Sequence, residues 1–209
     1  LGSSTSDVTA AILAVLDAVG RRLPPERIAR IAVAAEAATD PLIYADRMLL
    51  FAHREGAVIE DFHRPVPPLG VLGFSVTDEE IDTLALPPAR YNAWEIECFR
   101  ALRGLLRRAV AHADHAELGR ISTASARINQ RFLPVPRFDR LLEIAEESGA
   151  LGVQVAHSGT VAALLFAPHG PRVEERTALA ARRLAELRIT DHWRYIAGSD
   201  SHVPFAHQS

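Results

Sequence analysis

The chain has 209 residues, of which 48% are hydrophobic and 23% charged, and a formal net charge of −3, enough for one sizeable core or two small lobes. That balance lacks the basic footprint of a nucleic-acid or anionic-membrane binder, and no apolar run approaches the roughly 18 residues of a membrane span. Nothing reads as a secretory leader, so cytoplasm is the expected compartment. Cys98 is the single cysteine, which excludes an internal disulfide framework, and all 23 basic side chains are Arg. Any positive charge the chemistry needs must come from Arg, a metal ion, a helix N-terminus or a residue outside this sequence.

In chain order, Val8, Ala11, Ile12, Val15, Leu16 and Val19 keep helical spacing up to a stop at Gly20. Asp7 is expected in the first turn of that helix. A second helix opens at Pro24-Pro25-Glu26, carries Ile28, Ile31, Ala32 and Ala35, and runs out near Thr39-Asp40-Pro41. Residues 48–53 and 57–62 read as a hairpin around Arg54-Glu55-Gly56, and residues 69–76 as a buried strand. A helical stretch over residues 89–132 is broken near 112–115. There, His112, Asp114 and His115 read as exposed, with no closed ligand set. Within the stretch, Cys98 shares an apolar stripe with Trp94, Ala101 and Leu105 and is expected to be buried. Arg100, Arg103, Arg107 and Arg108 are expected on a solvated face. Residues 138–148 form a third helix ended by Gly149. Two apolar strands, 151–156 and 161–167, are joined by His157-Ser158-Gly159-Thr160. A helix at 173–187, a strand at 193–197 and a fraying tail from Gly198 close the chain. The alternation predicts an α+β domain.

The opening run Gly2-Ser3-Ser4-Thr5-Ser6-Asp7 precedes an apolar helix. Small residues there leave first-turn amides open to an anion, which the helix dipole also favours. The same composition equally suits an ordinary N-cap. Asp40 before Pro41 has a plain reading as a turn former. The loop His157–Thr160 has one as a tight connector in which Gly159 supplies an unusual backbone angle.

Four segments in order carry a resemblance. Gly2-Ser3-Ser4-Thr5-Ser6-Asp7 resembles the phosphate-binding second motif of the GHMP kinase superfamily. Glu36-Ala37-Ala38-Thr39-Asp40, followed by the strand Leu49-Leu50-Phe51-Ala52-His53, resembles the Glu-Pro-Thr-Asp segment of its cobalamin-pathway L-threonine kinase branch. In the branch Glu stands three residues before Asp; here Glu36 stands four before Asp40. Leu133-Pro134-Val135-Pro136-Arg137-Phe138 with Leu141-Leu142 resembles the approach to the third motif. Gly152-Val153-Gln154-Val155-Ala156-His157-Ser158-Gly159-Thr160-Val161 is similar to the branch's own form of that motif.

The resemblance implies a two-lobed α+β GHMP kinase fold, with residues 1–65 as the rest of the N-terminal ATP-binding lobe and 66–209 as the C-terminal lobe. The family's first motif and early strands precede the phosphate loop, so part of the first lobe is expected to be missing from this chain. It implies ATP and Mg²⁺ as cofactors. Backbone amides of Gly2, Ser3, Ser4 and Thr5 would cradle the phosphates, Ser4 and Glu36 would ligate the metal, and Asp40 would act as base on the accepting hydroxyl. His157, Ser158, Gly159 and Thr160 would lie near substrate and transferred phosphate. The implied partners are ATP and a small hydroxy amino acid, L-threonine first, with a homodimer among the assemblies allowed. A kinase for homoserine or another small alcohol, and a non-catalytic binding protein of the same fold, are the rival readings.

Overall fold

The computed structural model describes residues 3–44, 47–77, 89–156, 159–170 and 172–198, with residues 3 and 4 described by their backbone alone. Gly2, His157, Ser158 and the tail beyond Gly198 therefore lie outside the described residues. The chain divides into two compact units, one formed by residues up to Val66 and one from Pro67 onward.

In the first unit, helix α1 (Ser3–Ala18) begins at the serine run itself. The run is therefore the first turn itself rather than a lead-in to the helix, and Asp7, expected in the first turn, falls in the second, where the helix-dipole effect has faded. Helix α2 (Pro25–Glu36) follows, with Pro24 at the N-cap and Pro25 in the first turn, where proline forfeits no hydrogen bond. Ile28, Ala29 and Ala32 form its buried stripe. The helix stops earlier than its composition suggests, because Ala37 turns left-handed (φ 60°) and gives its amide to Val33 O. A 3-10 turn (Leu42–Tyr44) leads to the antiparallel hairpin of β1 (Leu49–Ala52) and β2 (Ala57–Asp61). Gly56, at φ +60°, closes the turn beneath α2, where a Cβ would press on Ala29 O and Val33 Cγ2 at 3.0 Å. Among the described residues, a core cluster of this unit is Ala29, Tyr44 and Phe51, flanked by Ile43, Leu49 and Val58.

The second unit is built on an antiparallel sheet of order β4-β5-β3-β6, from β3 (Leu69–Ser75), β4 (Gly152–Val155), β5 (Val161–Phe166) and β6 (His192–Ala197). The apolar run of β3 is explained by its interior place and by burial on both faces. Leu72 and Phe74 join Val153, Leu164 and Phe166 on one side, while Val71 packs with Ala163 and Leu165 on the other. Helices α5 (Phe138–Ser148) and α6 (Val173–Glu186) cover the first face through Leu141, Ile144, Ala180 and Leu184. Burial of each of Leu141, Ile144 and Leu184 contributes about 1.5–3 kcal/mol.

Strand β4 is an edge, and α4 (His115–Asn129) covers it. Ser122 Oγ donates to Val153 O at 3.0 Å, and Thr123 Oγ1 accepts from Val153 N at 2.9 Å, so edge groups that could recruit another chain are satisfied. This approach requires glycine on both elements, since a Cβ on Gly119 would overlap Leu151 O and one on Gly152 would overlap Gly119 O.

Helix α3 (Ala93–His112) packs on α4 and departs from expectation. Its buried residues are Ala109 and Val110, near the C-terminal end, so the stripe through Trp94 (76% exposed) and Leu105 is not a core face and Cys98 is only partly buried. At the break between the helices Asp114 caps α4, accepting from Glu117 N at 2.9 Å. Among the described residues no helix is long and apolar enough to cross a membrane.

Candidate functional site

Four polar side chains of the first unit converge where α1 begins, α2 ends and β1 exits. The early stop of α2 makes this possible: the left-handed turn at Ala37 frees Thr39 and Asp40 from helical geometry and brings them beside the hairpin. Thr39 N donates to His53 O at 2.9 Å, and Thr39 is buried at 2% exposure.

Thr5, 4% exposed, is the hub of the cluster. Its hydroxyl donates to Glu36 Oε1 at 3.0 Å and accepts from Asp40 N at a longer 3.4 Å. One hydroxyl thus uses its proton and a lone pair in opposite directions, tying the last residue of α2 to the backbone of the following turn. His53 approaches Asp40 from the far side. Its Nδ1 lies 3.0 Å from Thr39 O and 3.3 Å from Asp40 Oδ1. Both neighbours are acceptors, so Nδ1 carries the proton. The ring is also held edge-on by Phe51, with centroids 5.8 Å apart and an interplanar angle of 90°. The His53 pKa is raised above its ordinary 6.5, first by the hydrogen bond to Asp40; burial opposes this, while the Asp40 charge, the Thr39 carbonyl and Glu55 add to it. The Asp40 side chain is 24% exposed and that of His53 35%, so both can be reached from solvent.

Of the residues singled out from sequence, Thr5 therefore contacts both Glu36 and Asp40. Ser3 and Ser4 open α1, in the turn whose N–H groups an α-helix leaves without intrahelical acceptors. Glu36 brings a hard carboxylate oxygen to that helix start, a donor type that fits Mg²⁺. In the sequence His53 stands out only as the end of a strand. The signal that could have found it is the two-residue spacing from Phe51, which puts the two side chains on one face of an extended segment.

Gly159 and Thr160 belong to the second unit. Gly159 has φ +74° and donates its amide to Ala156 O at 2.9 Å, and Thr160 O accepts from Val76 N at 2.9 Å. A Cβ on Gly159 would lie 2.6 Å from the Leu133 side chain, so both conformation and packing require glycine. The segment preceding α5 is fixed by Gln130 Oε1, which accepts from Val135 N at 2.7 Å, and by Arg137, which donates to Leu187 O at 2.7 Å.

Comparison with known proteins agrees with this architecture. The family model for the GHMP kinases N terminal domain matches residues 1–43, and that for GHMP kinases C terminal matches residues 106–185. Together they take in more than half of the chain. The chain is 30% identical over 195 residues to the L-threonine kinase of Salmonella typhimurium, covering 92% of this chain and 63% of that protein. It is 29% identical over 203 residues to the L-threonine kinase of Citrobacter freundii, covering 92% and 65%. It thus spans just under two thirds of the length of these relatives. The crystal structure of a homoserine kinase from Cytophaga hutchinsonii shares the fold, with a TM-score of 0.62 at 14% identity over 94% of this chain and 65% of that one. The fold is the mixed α/β fold of small-molecule kinases that the motifs implied. The chain belongs to the GHMP kinase family.

Proposed function

We propose that the protein transfers the γ-phosphoryl group of ATP to the side-chain hydroxyl of a small amino acid, with L-threonine as the acceptor. The observation that carries this reading is the convergence of Glu36 and Asp40 on Thr5 at the start of α1. It brings the Glu36 carboxylate and the backbone of Asp40 to a helix N-terminus, where phosphate is favoured. In the reaction the acceptor oxygen attacks the γ-phosphorus, the bond to the β,γ-bridging oxygen breaks and ADP leaves. The hydroxyl proton passes to the Asp40 carboxylate as the new bond forms.

The amides of Gly2, Ser3, Ser4 and Thr5 hold the phosphates. Ser4 and Glu36 would hold Mg²⁺, which when bound neutralises charge across the phosphates; that contribution matters in a chain whose basic side chains are all Arg. His157, Ser158, Gly159 and Thr160 border the substrate. Residues 1–65 belong to the ATP-binding lobe and 66–209 to the C-terminal lobe. The compartment is the cytoplasm, consistent with Cys98 as the lone cysteine. The choice of L-threonine is supported by the two L-threonine kinases that the chain is similar to.

The test is to incubate the full-length gene product with Mg-ATP and L-threonine, L-serine or L-homoserine, and to identify products by mass spectrometry and ³¹P NMR. O-Phospho-L-threonine is expected. One methyl in a fitted apolar pocket is worth about 10–200-fold in kcat/KM, so L-serine should trail by that factor. Better turnover of L-homoserine would keep the kinase and overturn the threonine assignment. ATP binding without phosphorylated product from any acceptor would mark a binding protein instead.

A further inference from the structure

We infer that His53 is a positioning residue for Asp40, holding its carboxylate in the direction that meets the acceptor hydroxyl; this deepens the kinase reading above and rests on it. The geometry is a three-centre arrangement. One N–H, on Nδ1, faces both the Thr39 carbonyl at 3.0 Å and Asp40 Oδ1 at 3.3 Å. The Thr39 carbonyl fixes the ring relative to the backbone from which Asp40 springs, and the return bond from Thr39 N to His53 O at 2.9 Å closes the loop. Rotation of the imidazole away from Asp40 would break the Thr39 contact and the edge-on packing with Phe51, which is itself 8% exposed and packed against Tyr44 at 6.0 Å. Because a carboxylate is planar, fixing Oδ1 fixes the direction of the other oxygen too. The backbone of Asp40 is tied separately, by its amide to Thr5 Oγ1.

A base that must take a proton from an alcohol gains from being oriented before the substrate arrives, since misplacement of about 1 Å can cost on the order of 100-fold. A hydrogen-bond donor on one oxygen achieves this without occupying the substrate's position. The carboxylates whose charge reaches His53 are Asp40 opposite it and Glu55 in the following turn.

Two substitutions separate orientation from simple packing. His53→Phe keeps a ring against Phe51 and removes the donor. His53→Asn loses the ring but places an amide N–H close to where Nδ1 stood. With the full-length gene product, His53→Phe should lower kcat by about 10–100-fold with little change in KM for ATP, and His53→Asn should recover most of it. In an Asp40→Asn background, His53→Phe should cost nothing further. If His53→Phe turns over like the unmodified protein, or if His53→Asn falls as far as His53→Phe, the inference is overturned.

An arm independent of turnover follows the His53 imidazole by NMR. Replacing Asp40 with Asn should lower its titration midpoint, and an unmoved midpoint would remove the pairing on which the inference stands. Absence of phosphorylated product from the unmodified protein would instead count against the kinase reading, with the NMR arm still deciding whether the pair exists.

Discussion

The hydroxyl of Thr5, in the first turn of α1, donates a 3.0 Å hydrogen bond to Oε1 of Glu36, the last residue of α2. The two residues are 31 positions apart, so the bond locks the end of one helix against the beginning of another. The contact does more than close a gap in packing. It places a carboxylate near the positive end of α1, where the helix dipole stabilises negative charge by about 0.3–1 kcal/mol. It also restricts where the Glu36 side chain can point.

Thr5→Val should therefore destabilise the protein without changing side-chain volume much. It removes the donor to Glu36 and the acceptor for the Asp40 amide at a site with 4% exposure. Leaving such groups unpaired costs about 1–3 kcal/mol, and each kcal/mol is roughly 2–4 °C in Tm for a chain of this length. Thr5→Ser, which keeps the hydroxyl, should recover most of the loss. Thermal melts of the two variants check this, and a Thr5→Val melt indistinguishable from the parent would refute the hub role.

Asp40→Asn keeps the shape of the side chain and its contact with His53 but cannot accept the alcohol's proton. It should lower kcat by about 10²–10⁴-fold, the range typical of acid–base groups, while ATP affinity stays close to that of the parent. Steady-state kinetics with separate ATP titration measures both. Full turnover by Asp40→Asn would assign the proton to another acceptor.

Much of this fold was legible because local rules decided it. Helix α5 runs from Phe138 to Ser148, as its apolar period and the terminal Gly149 indicate; Gly149 adopts the left-handed cap at φ 67° that glycine accommodates most readily. The break between α3 and α4 likewise falls at Ala113 and Asp114, a left-handed residue followed by a capping aspartate. The stop of α2 at Ala37 was not legible, because alanine carries no signal for a left-handed turn. The start of α1 at Ser3 was missed because serine and threonine are read first as caps. At the candidate site, Glu36 and Asp40 stood out through resemblance. The Thr5 hub and His53 depend on contacts between distant segments, which no local period encodes. Helix α3 shows the same limit in reverse: Trp94, Cys98 and Leu105 follow a buried-face spacing, but that face is largely exposed.

Gly152→Ala tests the seat of α4 on the sheet. The added methyl would overlap the Gly119 carbonyl, and the Thr123 hydroxyl lies 2.6 Å from the same position. Relief requires α4 to move off the edge strand, which strains the 2.9 Å bond from Val153 N to Thr123 Oγ1. Overpacking of this kind costs about 1–3 kcal/mol, so denaturant unfolding should show a lower midpoint, with hydrogen exchange rising at Val153. An unchanged midpoint would show that the helix has room to shift.

The His53–Asp40 pair makes the stability of the first unit depend on pH in a definite direction. The folded-state pKa of His53 is raised above its ordinary 6.5, chiefly by the hydrogen bond to Asp40. Protonated His53 is therefore more favourable in the folded chain than in the unfolded one. Stability from this linkage is fully present below the ordinary pKa and is lost as pH rises through the raised folded value. The pair should therefore contribute most below about pH 6.5, the ordinary His value. Asp40→Asn removes the partner charge and should flatten the decline in stability above that window. The difference will be modest, because the His53 side chain is 35% exposed and solvent screens the pair. Melts of the parent and Asp40→Asn proteins, taken in half-unit steps from about pH 5 to 9 in one buffer system, give the measurement. A parent protein that gains stability relative to Asp40→Asn as pH rises through neutrality would show the linkage running in the opposite sense, with His53 held neutral in the fold.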